Sequence, residues 1–167
     1  MKHYWDTIET QFGTFAGWVD EKGRLVRLRL RAQGAAKLDR DAERDSKALG
    51  EVRRQIGEYA KGQRQEFELE LDAEGPEFNK LVWNALLDIP FGRTTSYGAI
   101  AKTVGHPHAA RAVGAANGAN PIALIVPCHR VIGSDGSLTG YGGGLPLKRR
   151  LLEHEARVAG RRFDLFG

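Results

Sequence analysis

Residues 96–118 read Ser-Tyr-Gly-Ala-Ile-Ala-Lys-Thr-Val-Gly-His-Pro-His-Ala-Ala-Arg-Ala-Val-Gly-Ala-Ala-Asn-Gly. Ser96 can cap a helix by accepting a hydrogen bond from its first turn, which predicts a short helix over 97–103. Gly105 to Pro107 makes a turn, and a second short helix follows over about 108–117. Short helix, turn and short helix beside basic residues is the pattern of a helix-turn-helix. Reading base edges in a major groove takes long polar side chains, and the second helix offers only Arg111 and Asn117. Its remaining positions are small, which suits close approach to a narrow minor groove. A small-residue face packed against another helix is the competing reading, and these residues alone leave it open.

Toward the N-terminus, Phe78, Leu81, Val82, Ala85 and Leu86 mark the core face of a helix that ends by Pro90. Ala73-Glu74-Gly75-Pro76 is the best boundary, because Pro can open a helix. It divides the chain into an α/β part over 1–73 and a mainly helical part over 76–167. In the first part Val26, Leu28 and Leu30 alternate with Arg27, Arg29 and Arg31, and Phe67, Leu69 and Leu71 alternate with Glu66, Glu68 and Glu70. Both patterns predict half-buried strands whose arginine and glutamate rows could face each other across one sheet. Leu49, Val52, Ile56 and Tyr59 predict a helix over 41–60, and Phe12, Gly13, Phe15 and Trp18 an earlier hairpin.

The chain has 167 residues, of which 41% are apolar, enough to build a core. Its longest apolar run is Ile122 to Val126, far below the ~20 residues of a bilayer crossing. The opening residues lack an apolar signal core, so a cytoplasmic location is expected. A single cysteine excludes an internal disulfide and a structural zinc site built on several cysteines. Net charge is +4, unevenly spread. Residues 1–75 hold 14 Lys and Arg against 15 Asp and Glu, whereas 76–167 hold 11 against 6. Between 91 and 150 Asp135 is the only acid, which favours a polyanionic partner.

Residues 121–132 read Pro-Ile-Ala-Leu-Ile-Val-Pro-Cys-His-Arg-Val-Ile, an apolar strand that delivers Cys128 at a turn. A thiol must lose its proton to attack carbon. An imidazole can take that proton and a carboxylate can orient the imidazole, which makes His129 and Glu155, on a helix predicted over 146–157, the candidates. Neighbouring side chains seldom bond directly, so a bridging water between Cys128 and His129 is expected. From Cys and His alone, inert core filler is the stronger reading. His154 is expected to be exposed, and His106 and His108 to be loop or cap residues. The run Gly142-Gly143-Gly144 lacks a following Lys-Ser or Lys-Thr, so it is no phosphate-binding P-loop.

Pro127-Cys128-His129-Arg130-Val131 resembles the active-site signature of the methylated-DNA–protein-cysteine methyltransferases, the O6-alkylguanine-DNA alkyltransferases. The resemblance runs from about Phe78 to Glu155. It takes in Ile89-Pro90, Thr95-Ser96-Tyr97-Gly98, Ala110-Arg111-Ala112-Val113-Gly114, Asn120-Pro121, Tyr141-Gly142-Gly143 and Leu151-Leu152. It implies an α+β chain: a small N-terminal domain with an antiparallel sheet (ribonuclease H-like), and a helical C-terminal domain with a winged-helix-like helix-turn-helix. It implies direct-reversal DNA repair, in which Cys128 takes the alkyl group from O6-alkylguanine, and from O4-alkylthymine, once and irreversibly.

On the same resemblance His129 deprotonates Cys128 through water, Glu155 orients His129, Asn120 holds the nucleophile's turn and Tyr97 donates to the guanine leaving group. Arg111 fills the gap left by the flipped nucleotide, Tyr141 walls the pocket, and backbone groups near Val131 and Gly142 bind guanine. Ser96, Ala109, Ala110, Ala112, Gly114, Asn117 and Ser134 match DNA-contacting positions. No cofactor or metal is implied. The partner is double-stranded DNA bound by a monomer, with clustering along DNA left open, and no membrane. Some relatives place Ser at Gly142, Pro at Ala123 and Arg at Asn117, which bears on bulky alkyl groups and on phosphate contact. The runner-up is a damage sensor that binds the lesion without chemistry and recruits other repair factors. A transcription factor and a thiol hydrolase fit less well.

Overall fold

The computed structural model describes residues 1–162. They form two compact units, Met1–Glu74 with Pro121–Ala123, and Gly75–Asn120 with the chain from Leu124 onward.

The first unit is built on a hairpin of β1 (His3–Thr10) and β2 (Gly13–Asp20), joined antiparallel from His3↔Asp20 to Thr10↔Gly13. The strand β3 (Leu25–Arg29) pairs antiparallel with β2. After a one-turn helix α1 (Ala35–Leu38), the two-residue β4 (Glu43–Arg44) pairs parallel with β1, giving the order β3-β2-β1-β4. A register shift at Trp18/Val19 leaves Val26 as the extra residue. The buried side chains of β3 and its exit are therefore Leu25, Leu28 and Leu30, with Val26 only half-buried. One sheet face carries Trp5 stacked on Trp18, ring centroids 6.0 Å apart, with Ala16 and Ala35. At Gly17 a Cβ would stand 3.2–3.5 Å from methyls of Leu49, Leu28 and Ile8, so a side chain there would crowd the core.

Two expectations for this unit are corrected. The helix over 41–60 begins only at Gly50: α2 is Gly50–Ala60, burying Val52, Ile56 and Tyr59. Residues 43–44 go to the sheet edge instead, and the Asp45 carboxylate accepts from the N–H groups of Lys47 and Ala48, which turns the chain before the helix. The strand over 66–71 is a single parallel bridge, Leu25↔Leu71, and not a ladder. Gln55, 1% exposed, takes the partner's role, donating to the Glu68 carbonyl at 3.1 Å and accepting from the Glu68 N–H at 2.9 Å. A side-chain amide cannot propagate a strand, so facing arginine and glutamate rows are not built.

The second unit holds α3 (Glu77–Leu87), β5 (Thr95–Ser96), α4 (Tyr97–Thr103), α5 (Ala110–Gly118), a 3-10 turn (Cys128–Arg130), β6 (Val131–Ile132) and α6 (Leu145–Val158). Ser96 caps α4 as expected, its hydroxyl accepting from Ala99 N–H at 3.1 Å. Gly105 ends it at φ +81°, with Gly105 N–H on Lys102 O and His106 N–H on Ala101 O, the paired bonds of a left-handed helix stop. On α3 the expected Leu81 is 48% exposed and Trp83 is inside, its indole N–H donating to Ala116 O at 2.8 Å. Gly75 makes room for that ring: a Cβ there would lie 2.4 Å from it. The segment 121–126 is not the expected strand but a bridge at Ile122 followed by turns. Leu124 takes φ +73°, a conformation that costs a bulky residue roughly 1–2 kcal/mol. The two-stranded parallel pairing of β5 with β6 (Thr95↔Val131, Ser96↔Ile132) ties the start of α4 to the residues after Cys128.

Candidate active site

Three local devices place Cys128. Its own N–H bonds the Val126 carbonyl at 2.7 Å. Asn120, just past α5, donates its amide to the same carbonyl at 2.8 Å. Asn117, inside α5, donates to the Cys128 carbonyl at 3.2 Å. Asn117 was expected to face DNA. It is 5% exposed and engaged with the backbone of Cys128 instead, because a short polar side chain at this point of α5 meets the turn rather than solvent.

The helix α6 supplies the other side. Lys148, Leu151, Leu152 and Glu155 fall at helical spacing and all are buried. His154 is also buried, at 3%, against the expectation of exposure, since the apolar stripe of α6 is wide enough to include it. Glu155, fully buried, accepts from His129 Nε2 at 2.6 Å and from Arg130 Nε at 2.7 Å and Nη2 at 3.2 Å. Arg130 also donates to the Ile89 carbonyl at 2.8 Å, and the Gly92 N–H lies 3.4 Å from Glu155. Burial pushes the Glu155 carboxyl up, but the His129 and Arg130 interactions outweigh it and hold it far below the usual carboxylate range.

That hydrogen bond to Glu155 fixes the imidazole. With Nε2 held by a carboxylate, Nε2 carries the proton and Nδ1 is the bare acceptor. His129 Nδ1 is buried and makes no hydrogen bond among the described residues. Burial lowers the His129 pKa, Glu155 opposing, so the ring is neutral and able to accept at neutral pH. Cys128, 5% exposed, has its pKa raised by burial. A hydrogen bond from Asn120, the charge of Lys148 and backbone N–H groups pull the other way. The resting group is a thiol with a thiolate-stabilising surround.

Lys148, a cation that no pattern in the sequence singles out, is 0% exposed. Its ammonium donates to the carbonyls of Val131 at 2.6 Å and Thr139 at 3.2 Å and lies 6.0 Å from the Tyr141 ring. Burial pulls its pKa down to about 8, with Cys128 opposing. The buried Tyr141 hydroxyl is raised by burial and by the charges of Cys128 and Glu155. Tyr97, the first residue of α4, bonds Thr139 Oγ1 at 2.5 Å.

The expected DNA-side residues divide between open surface, half-buried positions and the interior. Ala110, Arg111 and Ala112 on α5, Ser134 and Gly142 are exposed, and Ser96, Ala109 and Gly114 are half-buried. Val131 is buried with its carbonyl on Lys148. Arg130 was visible only as part of a motif, yet it joins His129 as a partner of Glu155; a basic residue two positions after the nucleophile was the signal available.

A family model described as the ribonuclease-like domain of 6-O-methylguanine DNA methyltransferase matches residues 3–73, and one described as its DNA binding domain matches 77–157. The methylated-DNA–protein-cysteine methyltransferase of Methanosarcina barkeri is 45% identical over 91% of this chain and 96% of its own. That of Mycobacterium bovis is 58% identical over 67% of this chain and 68% of its own. The crystal structure of Mycobacterium tuberculosis O6-methylguanine methyltransferase superposes with a TM-score of 0.83 at 44% identity, covering 93% of each chain. Mycobacterium tuberculosis OGT in complex with DNA gives 0.85 at 44% identity, covering 95% of this chain and 94% of that one.

Proposed function

The chain belongs to the 6-O-methylguanine DNA methyltransferase family, and from that premise we propose that Cys128 is the alkyl acceptor of a direct-reversal DNA repair protein. The observation that carries this is the Cys128–His129–Glu155 series, in which the imidazole is clamped at Nε2 by a buried carboxylate and keeps Nδ1 free. Through a water, Nδ1 takes the thiol proton, and Glu155 stabilises the imidazolium that forms. The sulfur then attacks the alkyl carbon on guanine O6. The new C–S bond forms as the C–O6 bond breaks, its electron pair passes to the guanine, and a proton from Tyr97 neutralises the leaving base.

A carbon on O6 inside a duplex cannot reach a thiol that is 5% exposed. The nucleotide therefore turns out of the stack, at a cost of a few kcal/mol that poor pairing of the damaged base reduces. Small residues on α5 let the backbone close on the minor groove, and Arg111 fills the vacated space. The product is a thioether with no easy leaving group, so each molecule acts once, and the lesion itself is the alkyl donor. O4-alkylthymine presents the same carbon–oxygen bond. Residues 76–167 carry DNA binding and transfer, and 1–73 support them. All assigned residues lie on one chain, so a monomer suffices, working in the cytoplasm. No helix among the described residues is long and apolar enough to cross a membrane. A sensor without chemistry would have no use for a thiol beside an oriented imidazole.

Incubation with duplex DNA containing O6-methylguanine, followed by intact-mass measurement, should show one added methylene per molecule, located on the Cys128 peptide. Cys128→Ser should bind the same DNA and gain nothing. Continued turnover, or an adduct on another residue, contradicts the assignment.

A further inference from the structure

Thr139 has no role in the mechanism above, yet two of its groups are engaged. Its hydroxyl lies 2.5 Å from the Tyr97 phenol oxygen, and its carbonyl accepts from the buried Lys148 ammonium at 3.2 Å. Lys148 also holds the Val131 carbonyl at 2.6 Å, so one ammonium fastens both ends of the segment 131–139. The Tyr97 ring lies beside α5: Tyr97 starts α4 directly after the Ser96 cap, and a Cβ on Gly114 would stand at ordinary contact distance, 3.9 Å, from its ring.

We propose that Thr139 is a positioning residue for alkyl transfer, its hydroxyl donating to Tyr97 so that the phenol proton is left for the departing guanine. This rests on the part given to Tyr97 above. A phenol has one proton and can also accept. In a pair of hydroxyls one donates and the other accepts. When Tyr97 donates to Thr139, its only proton is occupied. When Thr139 donates, the Tyr97 proton is free to point at a guanine acceptor, and accepting a hydrogen bond makes the phenol the stronger donor. Either arrangement satisfies the pair of hydroxyls by itself, and a bound guanine selects the second. The direction of the proton is thus set by the base, while Lys148 keeps the Thr139 backbone from following it. Thr139 touches neither alkyl carbon nor sulfur; it acts through Tyr97.

The test uses the full chain and duplex DNA carrying O6-methylguanine, with single-turnover rates read from the mass gain. Thr139→Val keeps the shape and the carbonyl for Lys148 but removes the hydroxyl, and should slow transfer about five- to tenfold with DNA affinity unchanged. Thr139→Ser should restore the rate, which a packing role for the threonine methyl would not allow. Thr139→Val combined with Tyr97→Phe should be no slower than Tyr97→Phe alone, since both remove one proton path. Should the valine variant not fold, Thr139→Ala gives the same comparison. Wild-type rates for the valine or alanine variant, failure of serine to rescue, or multiplying losses in the double variant overturn the proposal. A wild-type protein that gains no methylene overturns the reading of Cys128 instead, so the two failures are told apart.

Discussion

Each unit of the molecule buries a carboxylate against arginine, and the two clusters do different things. In the first unit Asp6 accepts from Arg44 at 2.9 Å on one oxygen and from Arg53 at 2.6 Å on the other. Burial raises the Asp6 carboxyl, but the Thr7 N–H and the two guanidinium groups hold it below its usual value. Both oxygens of Asp6 are taken by the arginines, which also donate to Thr7 and the Ser46 carbonyl, and the cluster ties β1, β4 and α2 together. In the second unit Glu155 also takes an arginine, but its other partner is an imidazole whose far nitrogen has no bond among the described residues. A closed cluster stabilises; one with an acceptor left over can move a proton.

The largest expected effect separates them directly. Glu155→Gln removes the anion that stabilises an imidazolium and should slow methyl transfer roughly a hundredfold. Arg130 would be left beside a neutral amide, so a stability loss of about 3–5 kcal/mol should accompany it in denaturant unfolding. Asp6→Asn should also destabilise, by about 1–3 kcal/mol since its arginines are partly exposed, while single-turnover transfer stays at the wild-type rate. Equal rates for the two variants would erase the distinction.

Acid titration sharpens it. Both carboxyls have folded pKa values below their ordinary 4.5 and 3.8. As pH falls from about these values, the unfolded chain binds protons that the folded chain refuses, so stability is present above that window and lost on descending through it. Glu155→Gln should flatten the loss more than Asp6→Asn, because Glu155 is fully buried and its shift is the larger. The midpoints of urea unfolding between pH 6 and 3 read this out.

The smallest effects concern arginines outside either cluster. Arg111→Ala should slow repair in duplex about tenfold and leave reaction with a free O6-alkylguanine base nearly unchanged, because the finger acts only on the stacked helix. Equal slowing of both removes Arg111 from base extrusion. Arg29→Gln, on the half-buried surface of β3, should change stability by about 0.5 kcal/mol or less and leave transfer untouched.

What the sequence determined by itself is what short-range chemistry decides: the Ser96 cap and Gly105 stop that bound α4, the β1–β2 hairpin, the Cys-His pair, and the helical spacing that carries Glu155. Each depends on residues a few positions apart, and backbone dihedrals and hydrogen-bond reach then leave few alternatives. Tertiary structure decided the rest. Gln55 replaced a strand partner, Trp83 displaced Leu81 from the interior because Gly75 left space for its ring, and Asn117 turned inward to Cys128. Lys148, a cation that no pattern in the sequence singles out, became a buried clamp on two distant carbonyls. An ammonium is buried only where acceptors converge on it, and that convergence comes from segments that the chain order holds apart.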